Sequence, residues 1–379
     1  MLKFAVIGVG RMGMTHAINL YKGRAKGVIL SAICDIDEDV IKKCAKKFPK
    51  ATAYSDYKEM IAKESLDGIV IATPHYSHEE IAVYAIEHGV NTLIEKPASV
   101  TTKRAKHIAK VAAENPSVIA AVSYNQRSNR MYRLAKEMLS DGTLGQIRRV
   151  NFIITNWYRS QAYYDQGGWR ASYNGEGGGC LINQCIHQLD VLQWLIGLPE
   201  KITALTRTVN RNITVENDVT AVLSYADFEC TFTASTHEMG GINRLEIVCD
   251  KGRLVIYQKK MEIYRHKSEL EVNAETSAGY GFAKTKKTVY GYGALRYLSD
   301  AVYGQQLRSV RAFANAINKK GEPLAYADEG YRALEIINGI YLSAATGKTV
   351  NIPLDDDEYE KFLATATENE LKNIDRRRK

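Results

Sequence analysis

Hydrophobic and polar positions along the chain follow two different regimes, which change over near residue 123. In the first, short continuous apolar runs alternate with amphipathic stretches. Residues 4–8 (Phe-Ala-Val-Ile-Gly) form the first run and predict a strand buried on both faces, as in a parallel sheet. Further runs at 28–34, 68–72, 91–94 and 118–122 repeat this signal, with helical patterns at 14–21, 37–48, 56–63, 79–88 and 102–114 between them. Buried strands alternating with helices predict a doubly wound α/β domain over residues 1–123.

The second regime opens with a helical stretch at 127–140 and a turn at 142–145. Longer strands of alternating character follow at 150–157, 201–209, 218–225, 229–236, 242–248 and 253–257. They predict an α+β domain over residues 124–379, with a large, mostly antiparallel open sheet and helices on one face. Residues 305–318 and 329–345 read as closing helices, 376–379 as a solvated tail, and 267–292 as a strand-connecting excursion or subunit arm.

One helical pattern carries an unusual stripe. After Gly177-Gly178-Gly179, the residues Asn183, His187, Asp190 and Trp194 recur at helical spacing and share one face. They are flanked by Ile182, Ile186 and Leu189 on one side and Leu181, Leu192 and Leu195 on the other. A helix apolar on both flanks is normally buried, and buried polar groups are costly unless paired. The stripe should therefore meet a hydrogen-bonding partner or a substrate.

Composition narrows the field. A hydrophobic fraction of 45% and a charged fraction of 25% are those of an ordinary globular protein, and 379 residues suggest two domains. The formal charge of +8 is spread over separate helical stretches. It suits an anionic substrate or cofactor better than nucleic acid, which would need one basic patch interleaved with aromatics. The six cysteines show no metal-ligand spacing, so free thiols and no metal are expected; Cys180 and Cys185 read as small packing residues. The chain enters its first strand at once and contains no apolar run long enough for a membrane span, so the cytoplasm is the expected location.

Candidate chemistry lies at the ends of the first domain's strands. Gly8-Val9-Gly10-Arg11-Met12-Gly13 follows a strand and opens a helix, which is the dinucleotide fingerprint; backbone N–H groups at Gly8, Gly10, Arg11, Met12 and Gly13 can approach a pyrophosphate. About 20 residues further on, Asp35 is placed to hold a ribose 2′-OH and to repel a 2′-phosphate, which favours NAD over NADP. The competing reading of Asp35 is a cap for the helix at 37–48. The loops with Thr73, Pro74, His75 and His78, and with Glu95, Lys96 and Pro97, end the next strands on the same side, where ligands bind in such sheets. Lys96, pinned before a proline, can bind or protonate a substrate oxygen over the cofactor crevice. In the second domain, Trp157, Arg159, Tyr163, Trp169 and Arg170 share a loop; flat aromatic faces suit a sugar ring, and guanidinium groups suit hydroxyls or a carboxylate.

The ordered set of glycine fingerprint, Asp35, Thr73-Pro74, Glu95-Lys96-Pro97 and the Gly177–Asp190 helix resembles the Gfo/Idh/MocA family of NAD(P)-dependent sugar and polyol oxidoreductases. The resemblance spans nearly the whole chain. It implies an N-terminal Rossmann domain and a C-terminal domain whose open sheet forms subunit interfaces, hence a homo-oligomeric dimer or tetramer. It matches His187 to the catalytic histidine and Lys96 to the lysine of the Glu-Lys-Pro motif. Asn183 stands where many members carry aspartate, and Cys185 replaces a family-typical glycine. The implied activity is hydride transfer from a ring carbinol of a sugar or glycoside, at the C3 hydroxyl, to NAD. His187 would accept the proton, Lys96 would stabilise the oxygen, and Asn183 would fix the substrate or the imidazole. Dehydrogenation of a nucleotide sugar or an inositol, a cofactor that cycles without leaving, and a dinucleotide-binding sensor without turnover are the alternatives.

Overall fold

The computed structural model describes residues 1–257, 260–276, 284–291 and 294–378. Of the 267–292 excursion, residues 277–283 and 292 lie outside the described residues, as does Lys379 of the tail. The chain divides into two compact units. The first comprises Met1–Ser128, Gly175–Gly177 and Leu298–Leu334, and the second comprises Asn129–Asn174, Gly178–Tyr297 and Glu335–Lys379.

The first unit contains a six-stranded sheet of β1 (Leu2–Ile7), β2 (Val28–Cys34), β3 (Thr52–Tyr54), β4 (Gly68–Ile71), β5 (Asn91–Ile94) and β6 (Ala120–Val122). Its strand order is β3-β2-β1-β4-β5-β6, and every pairing is parallel. This is the doubly wound order, with its reversal between β1 and β4. The period-2 alternation of each strand divides the core: Phe4, Val6, Val70 and Leu93 enter one apolar cluster, while Ala5, Ile7, Ile69, Ile71 and Ile94 enter the other. The first cluster also takes Leu307, Val310 and Phe313 from the helix Ala294–Ile317, and the Phe4 and Phe313 rings meet edge to face at 5.6 Å. The closing segment thus buries its apolar stripe on the first unit's sheet, whereas the sequence division at 123 groups it with the second.

The second unit is built on a nine-stranded sheet of β7 (Ile147–Ile154), β8 (Lys201–Arg207), β9 (Asp218–Ser224), β10 (Glu229–Ser235), β11 (Asn243–Cys249), β12 (Gly252–Tyr257), β13 (Lys260–Arg265), β14 (Lys286–Gly291) and β15 (Val350–Asn351). The order is β14-β13-β12-β11-β7-β10-β9-β8-β15, antiparallel throughout except for the β7–β10 pair. Alternation along β8, β9 and β10 leaves one face buried and the other exposed. Strands β13 and β14 lie where the sequence shows no apolar run. The expected tail is instead the end of the helix Asp356–Arg378, which begins where Asp355 accepts hydrogen bonds from the Asp357 and Glu358 N–H groups. All six cysteines are buried free thiols. Among the described residues no helix is long and apolar enough to cross a membrane.

Candidate active site

The glycine loop leaves β1 through Gly8, whose φ of +81° favours glycine and where a Cβ would come within 2.7 Å of the Thr73 nitrogen. A Cβ on Gly13 would lie 1.7 Å from the Gly8 carbonyl oxygen, so this glycine closes the loop against the helix Arg11–Tyr21. Gly10 is different: nothing lies within 4 Å of its Cβ position. The helix starts at Gly10 with no side-chain cap and no acidic residue in its first turn. Its first N–H groups and the positive end of its dipole are therefore available to an anion. Gly10, Arg11, Met12 and Gly13 fit the pyrophosphate of a dinucleotide, whereas the Gly8 N–H, expected among these donors, is given to the Cys34 carbonyl at 2.8 Å, so Gly8 shapes the loop.

Asp35 follows β2 and turns back to this loop. Its Oδ2 accepts from the Val9 N–H at 2.6 Å, and its Oδ1 accepts from the Asp37 N–H at 3.1 Å. The cap of the next helix is Asp37, which accepts from the Asp39 and Val40 N–H groups. Asp35 is thus tied to the fingerprint and does not cap that helix.

The loops after β4 and β5 are joined from inside. His78 is buried, with Nδ1 2.8 Å from the Pro97 carbonyl oxygen and Nε2 2.9 Å from that of Thr73. Burial lowers its pKa, although both carbonyls pull the other way. His75 is also buried, with Nδ1 2.9 Å from the Glu176 carbonyl oxygen. Both histidines, expected to meet the cofactor, lie inside the loop layer. Pro74 precedes the short 3-10 turn His75–Ser77. Glu95 is buried, and its Oε1 lies 2.7 Å from Nε2 of His16 in the glycine-loop helix. Lys96 is half-buried, and its peptide to Pro97 is cis. Sequence reasoning missed His16; its position one turn beyond Gly13 was the available signal.

In the second unit, Gly178 and Gly179 lead into a π-turn, Leu181–Cys185, and then the helix Ile186–Ile196. From residue 181 to 195 only Asn183, His187 and Trp194 are half-exposed; every other residue is buried. Asp190 leaves the polar stripe. It is fully buried and accepts from Gln193 Nε2 at 2.9 Å. The wider π-turn interrupts the helical period, which the uninterrupted sequence pattern does not reveal.

Glu216, also missed from sequence, anchors this element. Its buried carboxylate accepts from the Gly179 N–H at 3.0 Å, the Leu181 N–H at 2.9 Å and the Tyr341 hydroxyl at 2.9 Å. Burial pushes its pKa up to about 7, against the opposing pull of these donors. The glycines are explained by closeness. A Cβ on Gly178 would lie 2.2 Å from the Tyr341 hydroxyl, and one on Gly179 would lie 2.0 Å from the Glu216 carbonyl oxygen. Hydrogen bonding to Cys185, together with burial, raises the pKa of Cys180, so this pair packs as inert thiols.

The aromatic loop presents Trp157 and Trp169 with 39% and 36% of their surface exposed, enough for a flat ligand face. The Tyr163 ring lies against two guanidinium groups, Arg159 at 4.5 Å and Arg170 at 5.5 Å. The Tyr163 hydroxyl accepts from Arg170 Nη1 and Gln184 Nε2, each at 3.3 Å. Gln184 belongs to the π-turn, so the loop is tied directly to the element that carries Asn183.

Residues 2–124 match the model of the oxidoreductase family with an NAD-binding Rossmann fold, and residues 132–255 match that of the GFO/IDH/MocA C-terminal domain. The D-glucoside 3-dehydrogenase of Escherichia coli (strain K12) is 25% identical over 93% of this chain and 97% of its own length. An inositol 2-dehydrogenase of Rhodococcus jostii (strain RHA1) is 30% identical, over 41% of this chain and 42% of its own. Among solved structures, the WlbA dehydrogenase from Bordetella pertussis, in complex with NADH and UDP-GlcNAcA, superposes with a TM-score of 0.78 at 24% identity, covering 93% of this chain and 98% of that one. With both domains matched in order, and with the doubly wound sheet followed by the open antiparallel one, the chain belongs to the GFO/IDH/MocA family of NAD-binding oxidoreductases.

Proposed function

We propose that the protein oxidises a ring carbinol of a sugar or glycoside, at the C3 hydroxyl, to a 3-keto sugar, with NAD as hydride acceptor. One observation carries the reading: Asn183 and His187 remain half-exposed on an element whose other residues, Trp194 apart, are buried from 181 to 195. Keeping an amide and an imidazole open on such an element serves a ligand. The full-length similarity to a D-glucoside 3-dehydrogenase supports the choice of hydroxyl.

His187 takes the hydroxyl proton as general base. Lys96 donates a hydrogen bond to the same oxygen and stabilises its developing negative charge. Asn183 cannot act as a base; its amide orients the substrate or the imidazole. A bound nicotinamide supplies the hydride acceptor. Asp35 favours NAD, because its carboxylate disfavours a 2′-phosphate.

Cytoplasmic location and homo-oligomerisation through the open sheet are part of this proposal. Leu205 and Val222 are 72% and 39% exposed on adjacent strands β8 and β9, which supports a covered face there. Light scattering tests it: a monomer at all concentrations rejects the oligomer.

The test of activity follows NADH absorbance over a panel of glucosides, hexoses and inositols. His187→Ala should lose about 10²-fold or more in turnover while still binding NAD. Near-normal turnover in that variant would remove His187 from the chemistry.

A further inference from the structure

Among the described residues, Arg159 and Arg211 lack the counter-charge that Arg127 and Arg207 have. Arg127 pairs with Glu329 at 2.9 Å, and Arg207 pairs with Asp218 through Nε at 3.0 Å. Arg159 and Arg211 form no salt bridge among the described residues, and each keeps a buried N–H donor without an acceptor, on Nε of Arg159 and Nη2 of Arg211. Their satisfied donors reach only backbone: Arg211 Nε donates to the Arg159 carbonyl at 2.7 Å, Arg211 Nη1 to that of Asn210 at 2.6 Å, and Arg159 Nη1 to that of Tyr158 at 3.5 Å. The nearby acid Asp165 accepts from Gln161 Nε2 at 2.8 Å.

Aromatic rings support both guanidinium groups. Arg159 lies 5.5 Å from the Trp157 ring and 4.5 Å from that of Tyr163, and Arg211 lies 5.3 Å from the Tyr158 ring. Stacking on a ring engages the face of a guanidinium and leaves its edge donors in the plane. The backbone is strained in the same place. Of three non-glycine residues with positive φ among the described residues, Ala171 (φ 49°) follows Arg170 and Asn210 (φ 52°) precedes Arg211. A left-handed alanine is strained by its Cβ, and such strain collects at ligand sites.

Buried charged donors without acceptors are costly, and neighbouring like charges add repulsion. An anion placed against both edges would relieve both costs. We propose that Arg159 and Arg211 form an anion subsite for a carboxylate or phosphate group carried by the sugar substrate, with the exposed Trp157 and Tyr158 side chains beside it. The choice of substrate class rests on the dehydrogenase reading above. The subsite itself is a matter of binding.

The NADH-loaded protein is titrated by calorimetry with D-glucose, D-glucuronate and glucose 1-phosphate. At least one anionic sugar should bind about tenfold or more tightly than glucose. Raising the salt concentration should weaken that preference. A preference for glucuronate assigns the subsite to a sugar acid, and one for the phosphate assigns it to a sugar phosphate. In Arg211→Gln and Arg159→Gln the ratio of anionic to neutral affinity should collapse to within about twofold, while Arg211→Lys, which keeps the charge but not the fork, should retain part of it. Equal binding of the three sugars by the wild type, or a preference that survives in both glutamine variants, overturns the proposal. If either glutamine variant fails to fold, the wild-type preference and its salt dependence still decide. If no sugar reduces NAD, the dehydrogenase reading fails separately, because the binding ratio requires no turnover.

Discussion

His16 Nε2 lies 2.7 Å from Glu95 Oε1, with both side chains buried, so the helix after the glycine fingerprint is bonded directly to the residue before Lys96. Removing the imidazole would leave a buried acidic side chain short of one partner. His16→Ala should therefore lose about 3 kcal/mol of unfolding free energy. Glu95→Gln should lose less, because an amide oxygen can still accept. Urea denaturation of the two variants measures the difference; a His16→Ala protein as stable as the wild type would show that the contact contributes little.

Gly10 and Gly13 should separate cofactor affinity from folding. Gly10 has open space at its Cβ position and an ordinary φ of −65°, so Gly10→Ala should keep wild-type stability. Its added methyl would stand where a pyrophosphate approaches, and NAD affinity should fall about tenfold or more. Gly13→Ala should instead destabilise the fold, since its Cβ would lie 1.7 Å from the Gly8 carbonyl oxygen. Thermal melts and NAD titrations check both; a Gly10→Ala protein with undiminished NAD affinity would contradict the cradle.

Glu216 predicts a pH dependence of stability. Burial raises its pKa to about 7 from the ordinary glutamate value of 4.5, so the folded state holds this proton more tightly than the unfolded chain does. Its contribution is fully present below the unfolded pKa and is lost as pH rises through the folded one, at up to about 1.4 kcal/mol per pH unit. Glu216→Gln cannot titrate there, and its stability should vary less between pH 4.5 and 7. Chemical denaturation across that range measures both proteins, and identical slopes would reject the assignment.

Asn183 is the departure from the commoner family residue, and Asn183→Asp restores a carboxylate. The variant should show a pH–rate profile with an additional ionisation and an altered substrate preference. Unchanged profiles and preferences would make the departure silent.

Much of this protein is legible in the linear pattern. Continuous apolar runs are what strands buried on both faces require, so the parallel sheet and its helices can be read directly. The alternation along β8, β9 and β10 likewise announces a sheet with one open face. The glycine fingerprint is local because backbone approach to a ligand is a local need. Tertiary structure decided what depends on distant partners. The helix carrying Phe313 returns to the first unit because its apolar stripe completes that sheet's core, and a stripe does not name its partner. Asp190 is buried while His187, on the same helix, is half-exposed, because what packs over each turn of a helix face is set by distant elements. Of the three glycines, Gly178 and Gly179 are there because Tyr341 and Glu216 leave no room for a Cβ. Arg211 joins the aromatic loop from a segment some 50 residues away, and only folding brings its charge beside Arg159.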